Sequence, residues 1–497
     1  MTLVYRHAWK ALSHTYCRPA AGLKLHEIPQ SNLGSKPPPG IQNTSSPASA
    51  AFFQAILCKG RLRPGSCCGE QHGMMKGNQG SFLSVINIVV ATFTPSWFSV
   101  NMGTGIVANL LQIAPHKFRG MDRIANAFFF LNCFLFILFT LISIVRYTRY
   151  PWVVRPMLHH PVQSMFIGTF PMGLSTIISS IVLMAVPEVG TWAKDLAWVL
   201  WWINVVLALL SCMGIPFIMF HNEGFAVEKM TAAWLLPVVP AVVAGATGGV
   251  MATVLEPQNA LITILTSYVL WGMGMGQSML LIALYMQRLM AYKLPAAEVI
   301  VSAFLPLGPL GQGSYGIVQL SRVGLTVFPQ VNFVGSVSSA QAIFDISVVF
   351  GLIVWAMGVW WLMHAVLAVG LRCGQGRLKF NMGFWGFVFP LGVFTAATIT
   401  LGKALTSEFF NYLSLVLIVI VVVLWLMVTC GTVHGVLTGS LLEAPCMSSF
   451  QLTPKPTGAL TLPEDGTAAQ EQNRSFNHQQ DGSQARHHGA SLYEQLA

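Results

Sequence analysis

The residues whose type and spacing could do chemistry in this chain are prolines, glycines and hydroxyls. An apolar residue followed by proline recurs at Phe170-Pro171, Leu236-Pro237, Leu305-Pro306 and Phe389-Pro390, with Thr94-Pro95 as a weaker member. The prolines Pro95, Pro171, Pro237, Pro306 and Pro390 are separated by 76, 66, 69 and 84 residues, so one repeat has the length of a helical hairpin. Glycines follow in each unit, among them Gly105, Gly173, Gly245, Gly311 and Gly392. Proline removes an intrahelical hydrogen bond and kinks a helix. The prolines are therefore expected to be helix kinks, and each break aims the partial positive charge of a helix N-terminus inward. The polar groups on the same segments are Thr104, Thr169, Ser175, Thr247, Ser314, Thr395 and Thr398. Together with Gly105 and Phe170 they are the expected lining of a narrow path. Neutral donors and weak fields suit a small anion that must also leave. The competing reading is that small residues and prolines serve only close helix packing.

Enzyme chemistry finds no support. The chain has no GxxxxGK[ST], HExxH or GxSxG, so neither ATP-driven pumping nor hydrolysis has its residues. His159-His160 and His487-His488 are pairs without partners at metal-ligand spacing, and the nine cysteines form no CxxC. No metal, cofactor or disulfide framework is expected, nor a cleaved signal peptide. Asp345, Glu298 and Lys403 fall near the ends of apolar runs, where interface anchoring competes with a role in transport. His364 and His434 are expected to pack or hydrogen-bond.

The elements that must position these groups are dictated by lipid. Hydrophobic residues make up 54% of the 497 and charged residues 9%, whereas soluble domains carry roughly 25% charge. Ten apolar segments are long enough to span a bilayer, at about 92–113, 124–146, 162–187, 192–220, 231–254, 258–287, 297–320, 339–370, 384–404 and 412–440. Residues 1–80 and 443–497 are polar, without periodicity, and read as disordered tails around a transmembrane domain at 81–442. The net charge of +10 would admit nucleic acid as a partner, but the basic residues sit in the N-terminal tail and in short loops. Nine of them (Arg146, Arg149, Arg155, Lys229, Arg288, Lys293, Arg372, Arg377 and Lys379) share one side. Lys117, Arg119, Arg123, Lys194, Arg322 and Lys403 share the other. The excess puts both termini in the cytoplasm. Proline-bearing odd spans belong inside, where freed backbone groups can be satisfied, with bulky even spans toward lipid.

The stretches FTPSWFSVNMGTGIVANLL (93–111), HHPVQSMFIGTFPMGLSTI (159–177) and LPLGPLGQGSYGI (305–317) resemble the tellurite-resistance/dicarboxylate transporter family. Within it they are most similar to the fungal sulfite efflux pumps, over about residues 90–440. The resemblance implies an all-α polytopic membrane protein of ten transmembrane helices, arranged as five hairpins with quasi-fivefold symmetry around a central pore. It implies assembly as a homotrimer, and a phenylalanine of the ninth helix that occludes the pore. In FVFPLGVFTAATI (387–399) that gate falls on Phe389, with Phe394 as the alternative if the register shifts. The implied activity is plasma-membrane export of sulfite, with malate-like dicarboxylates as the other branch.

Overall fold

The computed structural model describes residues 87 and 89–441, except 88, 223, 334, 335 and 377. The tails read at 1–80 and 443–497 lie outside the described residues. Every regular element among the described residues is helical. Ten are twelve residues or longer: α1 (Phe98–Ile113), α2 (Met121–Arg149), α3 (Thr169–Ser180), α4 (Thr191–Phe220) and α5 (Val239–Met251), then α6 (Pro257–Tyr292), α7 (Leu307–Gln330), α8 (Val337–Gln375), α9 (Val388–Ala404) and α10 (Glu408–Leu437).

Seven helical stretches are long and apolar enough to cross a membrane. They are the five even helices plus Ser164–Val189 and Met382–Ala404, which contain α3 and α9. The even helices are long and uniformly apolar. By contrast α5 is short, and Asn, Gln, Ser and Gly lower the hydropathy of α1 and α7.

The two sets of helices play different packing roles. Each odd helix packs on the next, α1 on α3, α3 on α5, α5 on α7, α7 on α9, and α9 packs back on α1. Each even helix packs on the odd helix before it and on the one after it. Of the most apolar window in Met382–Ala404, 89% is buried, against 17% in Met121–Arg149, which separates inner from outer helices. On the outer helices large apolar side chains such as Phe130, Phe134, Ile137 and Leu141 remain exposed, a surface that water would not tolerate and lipid would.

The five repeat prolines do not sit in the middle of helices, as a kink would require. Pro95 opens a 3-10 segment (Pro95–Trp97) that leads into α1. Pro237 and Pro306 stand between the 3-10 segments Ala232–Leu235 and Ala297–Phe304 and the helices α5 and α7. Pro171 and Pro390 are third residues of α3 and α9, each behind a 3-10 segment. In a first turn the N–H that proline lacks would have no intrahelical partner, so proline fits there without loss. The repeat thus marks a 3-10-to-α switch at the start of each inner helix. Side chains of neighbouring helices satisfy carbonyls freed at these switches. Thr169 Oγ1 donates to Pro95 O at 3.0 Å, Ser211 Oγ to Pro237 O at 2.9 Å, and Trp361 Nε1 to Ala303 O at 2.9 Å.

A second repeated device joins even helices to odd ones. From the middle of each even helix one side chain donates to the following odd helix. Asn132 reaches Thr176 Oγ1, Trp201 reaches Ala244 O, Trp271 reaches Gly313 O, and Trp355 reaches Thr398 Oγ1, at 3.0–3.2 Å. The fifth member comes from α10 and ends on α1, through Trp425 and Thr104.

Candidate functional site

One cavity touches all five odd helices. It is lined by Ile106, Asn109 and Ile113 of α1, by Ser175, Thr176 and Ser179 of α3, and by Val243 and Thr247 of α5. Gln312 and Tyr315 of α7 and Phe389, Val393 and Ala396 of α9 complete the wall, with Leu183 from a π turn (Ile181–Ala185) that continues α3. The centre of a water-sized sphere has about 40 Å³ to move in. A single water requires roughly 10–15 Å³ on that measure, so the space admits a small oxyanion and little more.

The polar groups of this wall fall into two sets. Those between α1 and α3 are tied to each other. Asn109 Nδ2 donates to Thr176 O at 3.2 Å, Ser180 Oγ donates to Asn109 Oδ1 at 2.7 Å, and Thr176 Oγ1 donates to Gly173 O at 2.7 Å. This set is scaffold. The second set is free to bind. Ser175 Oγ accepts from Asn204 Nδ2 at 2.8 Å, which leaves its own O–H to point elsewhere. The side chains of Ser179, Thr247, Gln312 and Tyr315 make no hydrogen bond to another described residue, yet all four reach the cavity. Among the described residues no ionisable acid or base lines it apart from the Tyr315 phenol. What remains is a small, largely apolar space with neutral O–H and N–H donors, which can face an anion's oxygens without holding them tightly.

The residues singled out from the sequence are distributed unevenly around this space. Ser175, Thr247 and Phe389 line the cavity. Thr104 turns away to α10, accepting from Trp425 Nε1 at 3.1 Å, and Thr398 turns to α8, accepting from Trp355 Nε1 at 3.0 Å. Ser314 donates to Gly351 O of α8 at 2.7 Å, and Thr395 to Leu391 O of its own helix at 2.8 Å. Thr169 is spent on Pro95 O, and Phe170 packs edge-on against Phe98 at 4.9 Å. Gly105 is a contact point, since a Cβ there would collide with the Thr176 and Asn132 side chains. Phe394 does not reach the cavity. Its ring stacks on Trp355 of α8, centroids 5.6 Å apart and 10° from parallel, against Gly358. Asn109, Ser179, Gln312 and Tyr315 were not singled out, although a Gln and a Tyr one turn apart on a glycine-rich inner helix carry the signal.

Asp345 is exposed and bonds Gln341 at 2.9 Å, and Glu298 is exposed ahead of α7; neither lies on the cavity wall. Among the described residues no group of His, Cys, Asp and Glu could hold a metal.

A helical membrane protein whose inner helices surround a small cavity of neutral donors belongs to the class of solute transporters and channels, with no catalytic constellation at its centre. Comparison with known proteins narrows the class. Residues 92–433 match the SLAC1 family model, described as voltage-dependent anion channel, and the chain belongs to that family. It is 44% identical over 359 residues to proteins named sulfite efflux pump SSU1 from Arthroderma benhamiae and from Trichophyton rubrum. Each match covers 71% of this chain and 93% of the relative. It is 27% identical over 384 residues to the malic acid transport protein of Schizosaccharomyces pombe, covering 76% of this chain and 86% of that one.

Proposed function

We propose that this protein exports sulfite or bisulfite from the cytoplasm across the plasma membrane, through a gated path along the axis of the five odd helices. In this reading the ten helices are ten spans, arranged as five hairpins in quasi-fivefold order, with both termini cytoplasmic and three copies forming the assembly. The observation that carries the reading is the cavity itself, which all five odd helices line and whose free polar groups are uncharged donors. Phe389 is the gate, the largest wholly apolar side chain on a wall that otherwise holds aliphatic, hydroxyl and amide groups and the Tyr315 phenol. The names of the relatives supply the solute.

The malic acid transport protein among the relatives makes a dicarboxylate the second reading. Two carboxylates one substrate length apart favour two fixed cations, and no Lys or Arg lines this cavity. Purified protein in sealed vesicles, given labelled sulfite or labelled malate under an imposed potential, tests both. Sulfite flux without malate flux supports the assignment. Malate flux alone, or flux of neither, overturns it.

A further inference from the structure

The cavity-lining faces of α7 and α9 continue beyond the cavity, and both arrive at a cation. On α9 the wall residues Phe389, Val393 and Ala396 follow helical spacing, and the next members of that stripe are Thr400 and Lys403. On α7 Gln312 and Tyr315 are followed on the same face by Gln319 and Arg322. The sequence places Arg322 in a loop after a span ending near 320, but α7 runs on to Gln330 and keeps Arg322 inside the helix. Arg322 stands two turns, about 10 Å along the axis, beyond Tyr315.

Two contacts bring the charges to one end of the cavity. Lys403 Nζ donates to the carbonyl of Ile113, a wall residue, at 3.0 Å. Arg322 Nη2 donates to Thr400 O at 3.4 Å, one turn before Lys403 on α9. Lys117, on the same side, is paired with Asp122 at 2.7 Å. That is the salt bridge found among the described residues. Among the described residues Arg322 and Lys403 have backbone carbonyls and no carboxylate as partners. Half-buried Arg322 therefore keeps most of its N–H groups free and its charge without a carboxylate, open to an anion as well as to water. The positive-inside distribution puts this end of α7 and α9 outside, where basic residues are disfavoured, so topology does not account for them.

From this geometry we infer that Arg322 and Lys403 form an anion-binding site at the Ile113 end of the cavity. A small oxyanion leaving the neutral cavity is held there before release. The inference rests on reading the cavity as the anion's path. The site takes the ionised form of the solute and gives no advantage to a neutral acid or dissolved gas. It also draws anions off a cavity that carries no charge.

The test uses full-length protein in vesicles, with labelled sulfite presented to the Ile113 face under an imposed potential. Arg322→Gln and Lys403→Gln should each raise the half-saturating sulfite concentration about tenfold, the worth of one charge-assisted hydrogen bond, while Arg322→Lys stays near wild type. Unchanged concentration dependence in the double variant, or an equal loss in Arg322→Lys and Arg322→Gln, would overturn the site. A second measurement separates it from the transport reading: stabilisation of the detergent-solubilised protein against heating by sulfite. If wild-type vesicles carry no sulfite but sulfite still stabilises wild type and not the double variant, the transport reading fails and the site stands. If wild type carries sulfite and both proteins are stabilised equally, the site fails and the transport reading stands.

Discussion

Trp425 Nε1 of α10 donates to Thr104 Oγ1 of α1 at 3.1 Å, across 321 residues of chain. Four equivalent bonds join α2 to α3, α4 to α5, α6 to α7 and α8 to α9, so this one closes the series. Both atoms are buried, and each answers a polar group that would otherwise face hydrocarbon. Trp425→Phe keeps the ring's bulk and removes the donor. It should lower stability by about 1 kcal/mol, read as a fall in the unfolding temperature of purified protein in detergent. An unchanged unfolding temperature would show that the bond contributes nothing measurable.

Phe389→Ala should raise sulfite flux in vesicles at equal protein density. It removes the largest apolar side chain of the cavity wall from a site where the backbone is already held by the Pro390 switch. Flux at or below the wild-type rate would remove Phe389 as the gate.

Phe394→Ala should act on stability and leave flux per folded molecule near wild type. Its ring fills the space between Trp355 and Gly358, away from the cavity, and losing it costs roughly 3–5 kcal/mol. A flux gain as large as that of Phe389→Ala would transfer the gate to this position.

Gly311→Ala should separate α7 from α9. A Cβ there would lie 2.5 Å from Phe394 N, an atom of the backbone that cannot rotate away. The expected loss is about 1–3 kcal/mol, visible as reduced yield and a lower unfolding temperature. A wild-type unfolding temperature would mean that the two helices can part at no cost.

Sulfite flux should follow the imposed potential and persist without a pH gradient. A monoanion leaving an inside-negative cell gains about 2.3 kcal/mol per 100 mV, which corresponds to an outward concentration ratio of roughly 50. Glu298→Gln and Asp345→Asn should leave flux unchanged, since both carboxylates are exposed and off the cavity. A requirement for a proton gradient that either substitution abolishes would make the protein a proton-coupled carrier instead.

The division into inner and outer helices was legible because bilayer and backbone leave a strong imprint. Proline and glycine mark α1, α3, α5, α7 and α9, and long apolar runs mark the even helices. Which side of an inner helix faces the axis was not legible. Every residue of α9 from Val388 to Gly402 is buried, so its sequence carries no apolar stripe to separate cavity from neighbour. Thr104, Ser314 and Thr398 therefore looked equivalent to Ser175 and Thr247. Their partners decide the matter, an indole N–H for two and a carbonyl for the third. One signal could have helped. Asn132, Trp201, Trp271, Trp355 and Trp425 are 69, 70, 84 and 70 residues apart, nearly the step of the prolines. A tryptophan recurring in phase with a helical repeat implies a recurring acceptor on the neighbouring helix.

The tie between Trp425 and Thr104 also bears on how such a chain is made. The ribosome delivers α1 first and α10 last, so Thr104 waits through nearly the whole of synthesis for its donor. Until α10 is inserted, α1 and α9 each present an uncovered flank to lipid or to the insertion machinery, because the helix that covers both has not arrived. Long-range closure of this kind is slow and leaves intermediates exposed. A nascent chain halted before residue 408 should therefore be degraded quickly, and one that has passed residue 437 should not. The last helix works as a completion check, since an interrupted copy lacks the strap that closes it.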